Sequence, residues 1–252
     1  MRRNLKGLSV SIDEVALVRR ALFESGLVPH RRTMVDVGAH KGSAFSSFVR
    51  SGWQVWAFEP NTVLYEGLVE RFGHWPNLSI CPVALSDEAQ QQAAFFVSEE
   101  STGISSLLGF DASHRFSEFV ATRRLDAFSI DYVDLLKIDV EGYDRNVFRS
   151  RGSLVPRVLV TEFEDNKTKH LGYSAEEYAL EIEEAGYHVW MSEWDPIVRY
   201  GRRHSWRRLV RFPDFSPDVA AWGNFIAVHR SVEVDPVVID HHLHDELSNE
   251  RC

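Results

Sequence analysis

The sequence predicts an α/β fold with a doubly wound, mostly parallel sheet. Short apolar runs alternate with segments whose apolar residues recur at helical spacing, and a glycine-containing turn follows the first run. Acidic residues stand at the ends of several runs. Alternation of this kind requires right-handed crossovers between parallel strands, and a chain of 252 residues is long enough to bury a sizeable core.

The elements follow each other in a regular order. Apolar runs of strand length cover residues 33–38, 54–60, 78–85, 91–98, 132–140, 157–164, 187–193 and 223–230. Helical periodicity covers residues 12–26, 42–52, 61–73, 145–150 and 174–186. Ser11, Asn61 and Ser174 are the predicted N-caps of three helices, and Pro82 is expected to bend the third strand. No helix separates the last two strands, so we expect them to form an antiparallel pair.

We expect a single domain over residues 1–232, which begins with a helical segment over residues 1–30. Residues 99–124 lack a clean period and are predicted to form a long, lid-like insertion. Residues 233–252 are predicted to be a charged, frayed tail. A metal site built on the histidines of this tail is the less favoured alternative, because nothing around it would fix the ligand geometry.

The composition limits the classes of partner. A net charge of −9 and a pI near 5.7 argue against a broad surface for nucleic acid. Residues 199–211 are a local basic exception, which we interpret as a solvated face or as a patch for an anionic substrate. No apolar stretch approaches the about 20 residues of a membrane span. The two cysteines, Cys81 and Cys252, give no pairing framework, so we expect a reducing, cytoplasmic location. The sequence does not indicate an oligomeric state.

The turn after the first strand, residues 36–42 with the sequence DVGAHKG, is typical of a nucleotide-like cofactor site. Gly38 and Gly42 allow a tight turn and a close approach of a ligand to the backbone. His40 stands where a dinucleotide fingerprint has its second glycine, and its side chain would crowd a pyrophosphate. Asp36 can instead hold the ammonium of an amino-acid moiety, directly or through water. A turn that serves only packing is the alternative.

Glu59 ends the second strand and is followed by Pro60. An acidic side chain at this place can accept hydrogen bonds from both hydroxyls of a ribose. The alternative is an acid that caps the next helix or faces solvent.

A third cluster follows the strand at residues 132–140. Asp139 and Glu141 are expected to face a pocket, because ligands gather at the carboxyl ends of strands in open α/β sheets. Lys137 lies inside the apolar strand and needs a paired anion, which the loop of Asp139 or Glu162 can supply. These acids can act as a general base for a substrate hydroxyl, position it, or bind a divalent cation. A purely structural role remains the alternative.

The order of these motifs resembles that of the FkbM family of methyltransferases. The matching segments are VDVGAHKG (35–42), AFEP (57–60), VALSD (83–87), the serine pair before Leu107, RRLDAF (123–128), LLKIDVEGYD (135–144) and VTEF (160–163). The resemblance implies a class I methyltransferase fold, which is Rossmann-like, with a seven-stranded, mostly parallel sheet and an antiparallel C-terminal strand. It also implies S-adenosylmethionine as the methyl donor and transfer to an oxygen of a small molecule or saccharide.

The resemblance also assigns the cofactor contacts. Asp36, Gly38 and Gly42 would line the methionine end of the donor, together with the intervening residues Ala39 and His40. Glu59 would hold the ribose, with Pro60 beside it. Ala84 and Leu85 would approach the adenine.

The same resemblance places Asp139 and Glu141 beside the methyl group, as candidate catalytic residues together with Glu162 and Lys137. Asp139 would also contact the cofactor. Asp139, Glu141 and Glu162 are the residues considered for a divalent metal. The expected partner is a small-molecule or saccharide substrate, with no nucleic acid and no membrane.

Two other functions stay open at this stage. An NAD-dependent oxidoreductase would use the same glycine turn and acid spacing, but His40 and the absence of a suitable Tyr-x-x-x-Lys pair oppose it. A methyltransferase-like module that binds a ligand without reacting is the second alternative.

Overall fold

The computed structural model describes residues 11–98, 105–107, 109, 114–196, 204–215 and 222–249. The strands in chain order are β1 (Thr33–Val37), β2 (Gln54–Phe58), β3 (Leu78–Cys81), β4 (Ala84–Leu85), β5 (Ala93–Ser98), β6 (His114–Val120), β7 (Thr122–Arg123), β8 (Leu135–Ile138), β9 (Val158–Glu164), β10 (Tyr187–Trp194), β11 (Trp206–Arg211) and β12 (Trp222–His229). The α-helices are α1 (Glu14–Val18), α2 (Ser43–Arg50), α3 (Thr62–Phe72), α4 (Asp144–Ser150), α5 (Asp165–Thr168), α6 (Ala175–Glu184) and α7 (Pro236–Asn249).

The main sheet is mixed and has the order β11-β10-β12-β9-β8-β1-β2-β3. Within this order, β3, β2, β1, β8 and β9 pair in parallel. By contrast, β12 runs antiparallel to both β9 and β10, and β11 runs antiparallel to β10. The order reverses between β1 and β8, because the chain moves outward through β2 and β3 and then returns to β8. Ligands of open α/β sheets bind at such a reversal. The α/β class is thereby confirmed.

The sheet differs from the predicted one in its number of strands. Among the described residues it has eight strands, whereas the resemblance implied seven. The additional strand is β11, which lies in the basic segment at residues 199–211. Arg207 and Arg208 interrupt the apolar pattern that predicts a strand, so β11 was not predicted. Charged side chains are common on an edge strand, because they discourage further pairing. Residues 197–203 of the same region lie outside the described residues.

The two faces of the sheet are covered by separate apolar clusters. In β1, Met34 belongs to one cluster, while Val35 and Val37 belong to the other. This alternation follows from the two-residue period of a strand. All seven residues of β9 are buried, as expected for a central strand.

Two small sheets lie beside the main one. β4 pairs with β7 in parallel, and β5 pairs with β6 in an antiparallel arrangement. The predicted third strand is therefore split at Pro82 into β3 and β4. β6 falls inside the insertion predicted at residues 99–124, and most of the rest of that segment lies outside the described residues.

Both ends of the described chain pack on the sheet. The cap of α1 is Asp13, whose side chain accepts a hydrogen bond from the Ala16 amide at 2.9 Å, and not the predicted Ser11. α1 continues into a π-helical turn at Arg19–Glu24. α7 replaces the predicted frayed tail, because Ile239, Leu243 and Leu247 are buried on one face of the helix. No helix in the described part of the chain is long and apolar enough to cross a bilayer.

Candidate active site

An open cleft lies at the carboxyl ends of β1 and β2, beside the loop that follows β8. We call it the first cleft. Its lining residues are Val37, Gly38, His40, Phe58, Glu59, Pro60, Leu64, Val83, Ala84, Leu85, Phe95, Ser105, Ser106, Leu107, Asp139, Val140, Glu141 and Tyr143. The predicted residues Gly38, His40, Glu59, Asp139 and Glu141 are thus brought together, and Pro60, Ala84 and Leu85 line the same cleft.

The glycine turn is fixed by close backbone contacts. Gly38 has a φ of +76°, and a Cβ at this position would lie 1.9 Å from the carbonyl oxygen of Asp139. Only glycine allows the turn to approach the loop after β8 so closely. A Cβ at Gly42 would instead meet the rings of Phe45 and Phe72, so Gly42 serves the packing of α2 and does not line the first cleft.

Asp36 and Lys137 form a buried ion pair. The Nζ of Lys137 lies 3.0 Å from Asp36 Oδ1 and donates to the carbonyl oxygen of Gly38 at 2.8 Å. Asp36 has no exposed surface, and it does not line the first cleft. Burial raises the pKa of Asp36, and for Lys137 the neighbouring carboxylates raise the pKa although burial opposes them. The partner of Lys137 is therefore Asp36, and neither Glu162 nor the loop of Asp139 takes the leading role.

Glu59 is held in place by two backbone amides. One carboxylate oxygen accepts from the His40 amide at 2.8 Å, and the other accepts from the Asn61 amide at 2.9 Å. The residue is only 5% exposed, and burial raises its pKa. Each oxygen keeps a further lone pair that can accept a hydrogen bond from a donor in the cleft.

Part of the lining of the first cleft is apolar. Phe58, Val83, Ala84, Leu85 and Phe95 contribute side chains there, and such a surface suits an aromatic base. The serine pair before Leu107 also lines the first cleft, and Ser106 is 1% exposed, with its hydroxyl donating to the carbonyl oxygen of Glu141 at 2.9 Å.

The acids after β8 have different surroundings. The Asp139 side chain is 45% exposed, and its Oδ2 lies 3.7 Å from Lys137 Nζ. Glu141 is 9% exposed and has a φ of +58°, a conformation that is unusual for a residue with a side chain. Its carboxylate is in direct contact with the ammonium of Lys167.

Lys167 is surrounded by carboxylates. Besides Glu141, it contacts Glu162 at 3.1 Å and Glu164 at 2.8 Å. Burial raises the pKa of Glu141 to about 7 and raises that of Glu162 well above its ordinary value, while the carboxylates raise the pKa of Lys167 against the effect of burial. Burial and the repulsion between neighbouring carboxylates thus disfavour the charged forms of Glu141 and Glu162, and the ammonium of Lys167 opposes this effect.

The trio considered for a metal does not fit one. Oxygen atoms of Asp139, Glu141 and Glu162 all lie within 4.8 Å of one another. However, the ammonium of Lys167 already contacts two of the three carboxylates. A divalent cation would be repelled by this neighbouring charge.

A second cleft adjoins the first. It is lined by Ile12, Asp13, Glu14, Val15, Gly38, Ala39, His40, Ser43, Ala44, Lys137, Asp139, Val160 and Asn224. The two clefts share Gly38, His40 and Asp139. Ala39 and Lys137 therefore face the second cleft rather than the first, and Glu162 lines neither of them.

Several residues of the site escaped the sequence analysis. Lys167 is 1% exposed, but the polar segment after β9 gives no sign that a lysine turns inward there. Phe95 and Tyr143 line the first cleft. The place of Tyr143 could have been predicted, because it directly follows the acidic motif at residues 139–142. In the basic segment, Arg207 and Arg208 pair with the buried Glu193, so part of this basic charge is balanced within the fold.

Comparisons with known proteins agree with the motif order. The family model described as "Methyltransferase FkbM domain" matches residues 36–189, which is more than half of the chain. A search of curated proteins found no match.

Solved structures give weaker likenesses. The structure of an FkbM methyltransferase from Methylobacillus flagellatus is 15% identical with a TM-score of 0.46, over 83% of this chain and 47% of that one. The present chain thus spans about half the length of that protein. A precorrin-6Y C5,15-methyltransferase from Geobacter metallireducens is 11% identical with a TM-score of 0.44, over 89% and 93% of the two chains.

A putative RNA methyltransferase from Pyrococcus horikoshii is 10% identical with a TM-score of 0.43, over 86% and 83% of the two chains. The match over residues 36–189 is the finding that assigns the family. The chain belongs to the FkbM methyltransferase domain family, a family of S-adenosylmethionine-dependent methyltransferases.

Proposed function

We propose that this chain transfers a methyl group from S-adenosylmethionine to a hydroxyl oxygen of a small molecule or saccharide. The observation that carries the proposal is the position of Asp139, whose partly exposed carboxylate lines both clefts. A group at such a junction can contact a donor in one cleft and an acceptor in the other.

The residues of the first cleft fit the donor. Glu59 would accept the ribose hydroxyls, and the apolar side chains around Ala84 and Leu85 would cover the adenine. The turn at Gly38 and His40 would meet the methionine end. Asp36 has no part in this contact, because its carboxylate is buried against Lys137. When bound, S-adenosylmethionine supplies an electrophilic methyl group on its sulfonium.

Asp139 is the proposed general base. As the bond between the acceptor oxygen and the methyl carbon forms and the carbon–sulfur bond breaks, the carboxylate of Asp139 takes the hydroxyl proton. The proton then passes to solvent, since the side chain is 45% exposed. Glu141 suits this role less well, because it does not line the second cleft and its carboxylate contacts Lys167.

The rest of the site holds the reactants in place. Methyl transfer from a sulfonium is an in-line substitution, so the alignment of donor and acceptor contributes much of the rate. Lys137 is a positioning residue here, because it ties the turn at Gly38 to β8 through the carbonyl oxygen.

The proposal is tested with Asp139→Asn and methyl-labelled S-adenosylmethionine. We expect the transfer rate to fall by about 10²- to 10⁴-fold, the usual contribution of a general base, while calorimetry shows unchanged donor affinity. Asp126→Asn, on an exposed acid paired with Arg124, is the matched control and should keep full activity. A normal rate in Asp139→Asn would remove Asp139 from the mechanism.

A further inference from the structure

The second cleft has a wall that is held by one buried carboxylate. α1 contributes Glu14 and Val15 to the lining. Glu14 is 7% exposed, and its Oε1 accepts from the Ser192 hydroxyl at 2.8 Å and from the Trp194 indole at 2.7 Å. These bonds join α1 to the end of β10, so the wall is built into the fold.

The base of the second cleft is formed by the sheet and the glycine turn. Val160 and Asn224 come from the neighbouring strands β9 and β12, and Ser43 comes from the first turn of α2. Asn224 and Ser43 offer both hydrogen-bond donors and acceptors. Asp139 and His40 stand at the side where this cleft meets the first cleft.

The charges that face the second cleft are mostly negative. Asp13 and Asp139 supply carboxylates, and Glu14 supplies a carboxyl group whose pKa is raised by burial. Among the described residues that line it, Lys137 is the only lysine or arginine, and its ammonium is taken by Asp36 and the Gly38 carbonyl. Burial, and after it the nearby Lys41, lowers the pKa of His40, which disfavours the charged form of its imidazole.

This balance decides which acceptors fit. A phosphate or carboxylate group in the second cleft would meet carboxylates and no unengaged cation among these lining residues, and like charges in a partly desolvated site repel strongly. Hydroxyl groups can both donate to the carboxylates and accept from Asn224 and Ser43. The net charge of the whole chain is −9 and is thus negative, like the charges that line the second cleft.

We propose that the second cleft binds the methyl acceptor and selects an uncharged, hydroxyl-bearing molecule, such as a saccharide without phosphate or carboxylate groups. The inference rests on the proposed function, because it supplies the acceptor for the same transfer. The acceptor enters beside α1 and presents its hydroxyl to Asp139. That hydroxyl loses its proton to Asp139 as it gains the methyl group.

The charge selection is tested with methyl-labelled S-adenosylmethionine and an extract of the source organism. Anion exchange followed by cation exchange divides the extract into uncharged, anionic and cationic fractions, and each is incubated with the wild-type protein. We expect the label in the uncharged fraction. Label mainly in the anionic or the cationic fraction, or in none of the three, would overturn the proposal.

The location is tested with a matched pair of variants on α2. Ser43 lines the second cleft, while Ser47 is exposed one helical turn further on and lines neither cleft. Ser43→Trp should reduce labelling of the uncharged fraction by at least about tenfold through steric exclusion, and Ser47→Trp should leave it unchanged. Equal labelling by both variants would contradict the assignment.

Donor binding separates the two levels of failure. Calorimetry with S-adenosylmethionine should give the same affinity for wild type, Ser43→Trp and Ser47→Trp. If the donor does not bind the wild-type protein, the proposed function itself is wrong. If the donor binds but the label enters the anionic fraction, only the acceptor class is wrong.

Discussion

Lys137 on β8 and Asp36 on β1 are direct partners in the parallel ladder, and their charged groups lie 3.0 Å apart inside the sheet. The pair stands at the point where the strand order reverses. Through its bond to the Gly38 carbonyl, the same ammonium fixes the turn that lines both clefts.

We predict that Lys137→Met destabilises the fold by about 3–5 kcal/mol, because it leaves the carboxylate of Asp36 buried without a partner. Urea unfolding measures this loss. The double variant Asp36→Asn/Lys137→Met should recover much of the stability, since no buried charge remains. A double variant that is as unstable as the single one would show that packing, and not charge, explains the loss.

The titration of Glu141 should contribute to the pH dependence of the free energy of unfolding. Its pKa is about 7 in the folded chain against an ordinary value of 4.5, so the folded state binds more protons between these values. The contribution of Glu141 to the free energy of unfolding therefore falls as pH rises from 4.5 to 7, by up to about 1.4 kcal/mol per pH unit. Relative to wild type, Glu141→Gln should gain stability across this window in urea unfolding at several pH values.

Glu181→Gln provides a control of opposite sign. Although partial burial raises it, the pKa of Glu181 is lowered overall by hydrogen bonds from Arg149 and Arg145. The stability that this carboxylate contributes is present above its ordinary pKa and is lost on acidification. The variant should therefore lose stability relative to wild type as pH rises towards 4.5, and the difference should stay constant at higher pH. The same pH trend in both variants would contradict the assignment for Glu141.

We predict that Glu14→Ala raises the KM for the acceptor by about tenfold and changes kcat less, because the indole of Trp194 and the hydroxyl of Ser192 lose their acceptor. Steady-state kinetics with the labelled donor measures both constants. Glu14→Gln keeps an acceptor oxygen and should restore most of the affinity. An unchanged KM in Glu14→Ala would rule out a positioning role.

The C-terminal helix should contribute to stability as part of the core. Leu243 is fully buried, whereas Val237 on the same helix is 67% exposed. Leu243→Ala should cost about 2–5 kcal/mol in the free energy of unfolding, and Val237→Ala should cost little. Equal effects in chemical denaturation would mean that α7 does not pack as described.

The sequence predicted the elements around the first cleft well, because local signals coincide there. The apolar run at β1, the glycine turn and the acid that ends β2 reinforce one another, and all three occur within a single βαβ unit. Glu59 could be placed in the cleft from its position at the carboxyl end of a strand alone.

Long-range pairing was the part that the sequence did not reveal. The partner of Lys137 lies about a hundred positions earlier in the chain, and its identity depends on which strands are neighbours. The inward turn of Lys167 and the strand character of β11 likewise depend on partners far away, such as Glu162 and Glu193. The buried face of α7 was hidden among histidines and acids, although its apolar residues recur at helical spacing.

The central claim, that the first cleft binds S-adenosylmethionine through Glu59, is tested most directly by calorimetric titration of wild type and Glu59→Ala. S-adenosylmethionine and S-adenosylhomocysteine should bind wild type, and NAD should not. Glu59→Ala should weaken the binding of both by about 10- to 150-fold, as expected for lost hydrogen bonds to a charged group. Two results would contradict the account: binding of NAD in place of S-adenosylmethionine and S-adenosylhomocysteine, or equal affinity of wild type and Glu59→Ala for these two ligands.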